Sequence, residues 1–392
     1  MKTLLASLVV LLVAGPVGAH TRSMSYSTWQ LSEDGARIEL RLKLLELTRQ
    51  PPGYGWTRVL PTELGLFSGG QACSAGEAQR LRRAPEGWAL FRWDVTCEQA
   101  GPREIESRLL RGIAVSHTHF LRIDAPRDDP EAGIRERVLV TDRDGPWLVD
   151  EAPGEPAAST LLSYIELGTL HIGTGWDHLA FVLALLLLAA SLREVAGLVT
   201  GFTLGHSLTL GLAVVGVVRP DVVAVEVLIG FSIALVAAEN SWLMGRRDRV
   251  IPSAIGLSLI VAAGLAVLGL GELGSAVWLG LALFSVCHFS LMRSAARPAM
   301  LRSMVAFGFA LVHGFGFAGI LMELELPSAR LVPALFGFNV GVEIGQLAVV
   351  FVAWPLLYGL SRARAGAHRR VAELGSAAIF GLGIFWLVSR NY

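Results

Sequence analysis

Four short stretches place polar, metal-competent side chains inside apolar surroundings. They are His171-Ile-Gly-Thr-Gly-Trp-Asp177-His178, Gly201-Phe-Thr-Leu-Gly-His206-Ser207-Leu-Thr209, His313-Gly-Phe-Gly-Phe-Ala318, and Phe338-Asn339-Val-Gly-Val-Glu343-Ile-Gly-Gln346. Several imidazoles with one or two carboxylates suit a borderline transition ion such as Ni²⁺, Co²⁺ or Zn²⁺. Neutral imidazoles supply lone pairs without charge, and Asp177 and Glu343 offset the two charges of the ion. The candidate ligands are therefore His171, Asp177, His178, His206, His313 and Glu343, with Thr203, Asn339 and Gln346 in support. A lone histidine in such a place is more often a hydrogen-bond partner between helices, but this many in matched motifs favour a polar site. Composition does not choose among the metals.

Spacing says how these groups could meet. His171 and His178 share a helix face yet lie about 10.5 Å apart along a straight helix, too far for one ion. Gly173 and Gly175 between them permit unwinding, which would fold His171 back toward Asp177 and His178. Asn339, Glu343 and Gln346 make a single stripe at i, i+4 and i+7. Gly337, Gly341 and Gly345 recur every four residues and form a small-residue face for close helix contact.

The elements that must hold these motifs are membrane spans. Of 392 residues, 53% are hydrophobic and 17% charged, against about 25% charged in a soluble domain, and the mean hydropathy is +0.54. Eight apolar segments lie near 162–190, 195–217, 222–243, 252–270, 274–292, 303–321, 331–358 and 371–389, each close to the ~20 residues a spanning helix needs. Arginines concentrate on alternate connections: Arg193, Arg246, Arg247, Arg249, Arg293, Arg297, Arg302, Arg362, Arg364, Arg369 and Arg370 on one side, against Arg219, Arg330 and Arg390 on the other. By the positive-inside rule, the N-terminal domain and the C-terminus are extracytoplasmic, in an inner membrane. Glu226 and Glu239-Asn240 near opposite ends of the third span are read as snorkelling or functional, His288 as structural, and Cys287 as buried filler. With 33 basic and 33 acidic residues there is no basic surplus for nucleic acid.

Residues 1–19 read as a signal peptide, with Lys2, an apolar run from Leu4 to Ala14, and small residues Val17-Gly18-Ala19. Residues 20–155 then read as a small all-β domain, a β-sandwich, from the alternation in 36–44, 89–95 and 133–141. Cys73 and Cys97 in that domain are expected to pair. A linker at 156–161 leads to the membrane part, 162–392. Cleavage after Ala19 would expose His20 as an amine and imidazole together, and His117-Thr-His119 on a strand points both rings to one face. The three would form an extracytoplasmic capture site; otherwise His117 and His119 are surface residues.

The four motifs in this order resemble those of the HupE/UreJ family of integral membrane proteins, over about residues 160–390. The resemblance implies nickel or cobalt permeation, with His171, Asp177 and His178 as metal-binding residues. The chain departs from the shorter members in its eight spans, its exported domain and its later motifs. Three readings stay open: a metal permease or accessory importer, a membrane-embedded metal-dependent hydrolase using Glu343 or Ser207, and a binding or assembly module that acts on an extracytoplasmic protein through the β-domain.

Overall fold

The computed structural model describes residues 23–48, 50, 53–85, 87–111, 117–124, 135–140, 146–149, 157–189, 191–323, 328–363 and 366–392. One unit falls within His20–Pro156 and the other includes Ala157–Tyr392. The expected leader and His20 lie outside the described residues.

In the first unit, β1 (Met24–Ser32) and β2 (Gly35–Lys43) form a hairpin. Helices α1 (Leu44–Thr48) and α2 (Trp56–Glu63) follow. The remaining strands are β3 (Leu64–Ser68), β4 (Gln71–Ala72), β5 (Ser74–Ala75), β6 (Gln79–Leu81), β7 (Trp88–Thr96), β8 (Arg103–Ser107), β9 (Thr118–Ile123), β10 (Arg135–Val140) and β11 (Trp147–Leu148). One sheet runs β10-β9-β1-β2-β7-β5 with β6 also on β7, and a second runs β11-β8-β3-β4. The three segments read from alternation are β2, β7 and β10. In β7 the inward positions Ala89, Phe91, Trp93 and Val95 are buried while Arg92, Asp94 and Thr96 are exposed, the pattern of a strand with one buried face. These side chains share one core with Ile38 and Leu40 of the first sheet and Leu64, Leu66 and Ile105 of the second. A disulfide joins Cys73 to Cys97.

The second unit is helical: α3 (Ala157–Thr174), α4 (Trp176–Leu186), α5 (Leu192–Val214), α6 (Val222–Met244), α7 (Val250–Val267), α8 (Ser275–Ser294), α9 (Pro298–Glu323), α10 (Ser328–Ala363) and α11 (Ala367–Asn391). Seven of these, α5 to α11, are long and apolar enough to cross a membrane. They carry bare apolar side chains such as Leu283 (66% exposed) and Phe351 (80%), a surface suited to lipid rather than water. The first expected span is not one helix. It breaks at Gly175, whose backbone (φ −82°, ψ 89°) leaves the helical region, so α3 and α4 meet at the bend. Residues 157–161, read as linker, are the first turns of α3; Ala-Ala-Ser-Thr-Leu opposes a helix at no position.

Backbones approach closely where glycines allow it. A Cβ at Gly341 or Gly168 would collide with the carbonyls of Ile165 and Phe338, so α10 lies directly against α3. A Cβ on Gly314 of α9 would strike the His206 carbonyl, and one on Gly205 of α5 would come within 2.9 Å of Ala310. In the same way Gly230 and Gly383 join α6 to α11. These contacts, driven by packing rather than by the hydrophobic effect, set the positions of the polar residues. Cys287, read as buried filler, is exposed on α8.

Candidate metal centre

The break at Gly175 gathers the histidines. His171 ends α3 and His178 opens α4, and their ring centroids lie 4.6 Å apart. His206, midway along α5, has its ring 6.3 Å from His171 and 5.9 Å from His178. One ring nitrogen from each of His171, His178 and His206 falls within 4.8 Å of the others. Nitrogens around a tetrahedral ion sit roughly 3.3 Å apart, from bonds of about 2.0–2.1 Å, so closure on an ion needs only rotamer-scale movement. All three rings are buried, His206 fully. The fourth ring, His313 on α9, lies 5.2 Å from His178. Phe181, Phe202 and Phe338 wall the cluster, with Phe202 and Phe338 stacked on His206.

Neighbours fix which nitrogen is available. Asp177 Oδ1 accepts from the His178 backbone N–H at 2.9 Å and lies 3.0 Å from His178 Nδ1. The proton therefore sits on Nδ1, and Nε2, which makes no hydrogen bond, presents its lone pair to the cluster. This is the carboxylate–histidine pairing that orients metal ligands. Ser232 donates its hydroxyl hydrogen to the Ile229 carbonyl at 2.7 Å, so His313 Nε2–H donates to Ser232 Oγ at 3.0 Å. His313 Nδ1 is then a lone pair with no hydrogen-bond partner, and neither nitrogen of His206 makes a well-formed hydrogen bond. Buried polar atoms left in this state cost about 1–3 kcal/mol each, a cost that a bound cation would recover. The residues present fit a divalent ion.

The other sequence candidates separate into supports and outliers. Thr203 donates to Gln346 Oε1 at 3.3 Å, which ties α5 to α10 beside the cluster. Asn339 lies beside His206 and donates to the Leu335 carbonyl of its own helix. Ser207 donates its hydroxyl to the Thr203 carbonyl at 2.6 Å. Glu343 is partly exposed on α10 and is not in the three-histidine group. Asp177 Oδ2 faces Arg390 of α11 at 3.6 Å.

A second polar cluster was not anticipated as a unit. Arg302 Nε of α9 meets Glu239 Oε1 of α6 at 2.8 Å, and Glu239 Oε2 lies 2.7 Å from His288 Nε2 of α8. Arg302 also donates to Asn240 Oδ1 at 3.2 Å and approaches Glu194 of α5 at 3.7 Å. Asn240 donates to the Ala184 carbonyl at 2.6 Å. Arg302, counted above as a loop charge, is thus inside a helix with a side chain 6% exposed. Glu239 and Asn240 are buried rather than snorkelling.

In the β-domain, His117 and His119 are not surface residues: both are 0% exposed. They alternate with serines across the parallel β1/β9 pair. His117 lies 2.7 and 2.8 Å from Ser23 and Ser25, His119 2.7 and 2.8 Å from Ser25 and Ser27, and Trp29 donates to Ser27 at 2.8 Å. A single proton order can run through all the links. The indole donates to Ser27, Ser27 to His119 Nε2, His119 Nδ1–H to Ser25, Ser25 to His117 Nε2, and His117 Nδ1–H to Ser23. Each ring uses both nitrogens within this ladder, and metal capture there would have to break it.

Burial, then the neighbouring His117, holds the His119 pKa well below 6.5. Above pH of about 6.5 folded and unfolded chains both carry it neutral; below that the unfolded chain takes the proton first. Stability therefore falls as pH drops through that range, by up to about 1.4 kcal/mol per pH unit. Amide exchange of β1 and β9 in the whole protein, corrected for intrinsic rate, should lose protection between about pH 7 and 5. Unchanged protection would mean that the ladder accommodates the proton.

The HupE / UreJ protein family model matches residues 151–279 and 265–390. No curated protein and no solved structure matches the chain. The matched region takes in both polar clusters and all seven long helices, more than half of the sequence. By that match, the chain belongs to the HupE/UreJ family.

Proposed function

We propose that the protein is a nickel or cobalt permease of the inner membrane, with His171, His178 and His206 as the transit site and His313 beside them. The observation that carries this reading is the convergence of three buried imidazoles on one point of the bundle. Imidazole donors with only Asp177 near them suit a borderline divalent ion such as nickel or cobalt. A hydrolase needs a general base at the metal. Asp177 is engaged by His178 and Arg390, the Ser207 hydroxyl by the Thr203 carbonyl, and Glu343 stands outside the group. The β-domain, read as a sandwich, is extracytoplasmic, where it captures the ion or receives it from a protein partner. The arginines at 193, 246, 247, 249, 293 and 297 mark the cytoplasmic ends.

The test is uptake of nickel and cobalt into proteoliposomes, wild type against His178→Ala. Uptake by the wild type and none by the variant is the expected result. Tight stoichiometric zinc with no uptake of any metal would overturn the permease and favour the hydrolase.

A further inference from the structure

Two carboxylates compete for one arginine at the edge of the histidine cluster. Arg390 Nη2 lies 3.6 Å from Asp177 Oδ2, and Arg390 Nε lies 3.9 Å from Glu226 Oε2. Neither pair is closed to a hydrogen-bonded salt bridge. The guanidinium is anchored instead by donating from Nη1 to the Glu226 carbonyl at 3.0 Å and by lying over the Trp386 ring, 5.5 Å from its centroid. The backbone beneath it is fixed, because Asn391 accepts from the Glu272 and Leu273 amides at 2.9 and 3.1 Å. The helix end therefore stays in place whichever carboxylate the guanidinium turns to.

A dication at His178 and a guanidinium at Asp177 repel each other. Asp177 is bound to His178 through its other oxygen, so the arginine draws on the charge of the same carboxylate that an ion-loaded histidine leans on. Resting on the reading of that cluster as a metal transit site, we propose that Arg390 is a latch: it holds Asp177 while the site is empty and moves wholly to Glu226 when the ion arrives. In this device Arg390 and Glu226 are positioning residues that set affinity and release without touching the ion. Glu226 has a side chain 31% exposed, so water reaches it in either state.

The two partners must act with opposite sign, which a merely structural role would not produce. Nickel affinity is measured by titration of purified protein in nanodiscs. Arg390→Gln frees Asp177 and should tighten nickel binding by on the order of tenfold, the scale on which residues behind the ligands act. Glu226→Gln leaves the arginine to Asp177 alone and should weaken binding by several-fold. The double variant should follow Arg390→Gln, since without the arginine Glu226 has nothing to draw away. Arg390→Lys, which keeps the charge, should stay near wild type. If Arg390→Gln weakens binding, or the two single variants shift in the same direction, the latch is overturned and the permease reading stands. A wild type that binds no nickel overturns both.

Discussion

His206→Ala should abolish measurable nickel or cobalt binding by the purified protein while leaving it folded. The side chain is fully buried between Phe202 and Phe338, with both ring nitrogens outside any well-formed hydrogen bond. Its removal therefore costs packing and its contact with Asn339. Deleting one of three donors should exceed the roughly 10–100-fold loss in affinity seen when only an orienting partner is removed. Asp177→Asn supplies that smaller benchmark in the same protein, because the amide still reaches His178 but no longer holds Nδ1–H as strongly. His313→Ala should fall between them: its Nε2 is committed to Ser232, and its nitrogens are not in the three-ring group. Metal content by mass spectrometry, with thermal denaturation as the folding control, ranks the three. Equal nickel content in wild type and His206→Ala would remove this cluster from any metal chemistry.

The membrane half of the fold could be read because its signal is long and one-dimensional. Helices α5 to α11 each fill a stretch of apolar residues that hydropathy marks directly. The bend at Gly175 was also readable, since two glycines between residues needed at one point leave little else for the backbone to do. The arginine at 302 was not. Seen in sequence it resembles every other arginine beside a span, and only the packing of α9 against α6 and α8 shows that it is buried with Glu239 and His288. A short repeat gains meaning only from the packing: Gly201-Phe-Thr-Leu-Gly-His206 and Gly308-Phe-Ala-Leu-Val-His313 share glycine, phenylalanine, leucine and histidine in register. The two lie on α5 and α9, which pack through Gly205 and Gly314.

In the β-domain, strands with one buried face announced themselves by period two, as in β7. Strand β1 gave no such signal, because its inward face begins with Ser25 and Ser27 rather than aliphatic residues, and Tyr26 on its other face is buried as well. Polar residues turned inward read as loop until the partner histidines of β9 are placed beside them. The carboxylate of Glu343 shows the opposite limit. Helical spacing put it on a polar stripe with Asn339 and Gln346, but spacing fixes a face and not which neighbour that face meets. Gln346 meets Thr203 on α5, whereas Glu343 is only partly covered.

Glu239→Ala should be among the most destabilising single changes in the helical unit. Glu239 and Arg302 are nearly inaccessible, with side chains 4% and 6% exposed, and removing one partner of a buried ion pair costs about 3–5 kcal/mol. The loss has two parts. Arg302 keeps its charge in an apolar bundle with only the more distant Glu194 to meet it, and His288 loses the acceptor for its Nε2 hydrogen. At roughly 2–4 °C per kcal/mol for a unit of this size, the denaturation midpoint should fall by on the order of 10 °C. The triple replacement Glu239→Leu, His288→Leu and Arg302→Met should recover most of that loss, because the penalty belongs to the unpaired charge and not to absent attraction. Asn240 would keep its bond to the Ala184 carbonyl, and Glu194, at the first turn of α5 with Ser191 capping its amide, would still face a helix N-terminus. Differential scanning of single and triple variants in one detergent separates the alternatives. A triple variant no more stable than Glu239→Ala would show that the ion pairs themselves hold α6, α8 and α9 together. If it regains stability but carries no nickel across a bilayer, the cluster serves transport rather than folding.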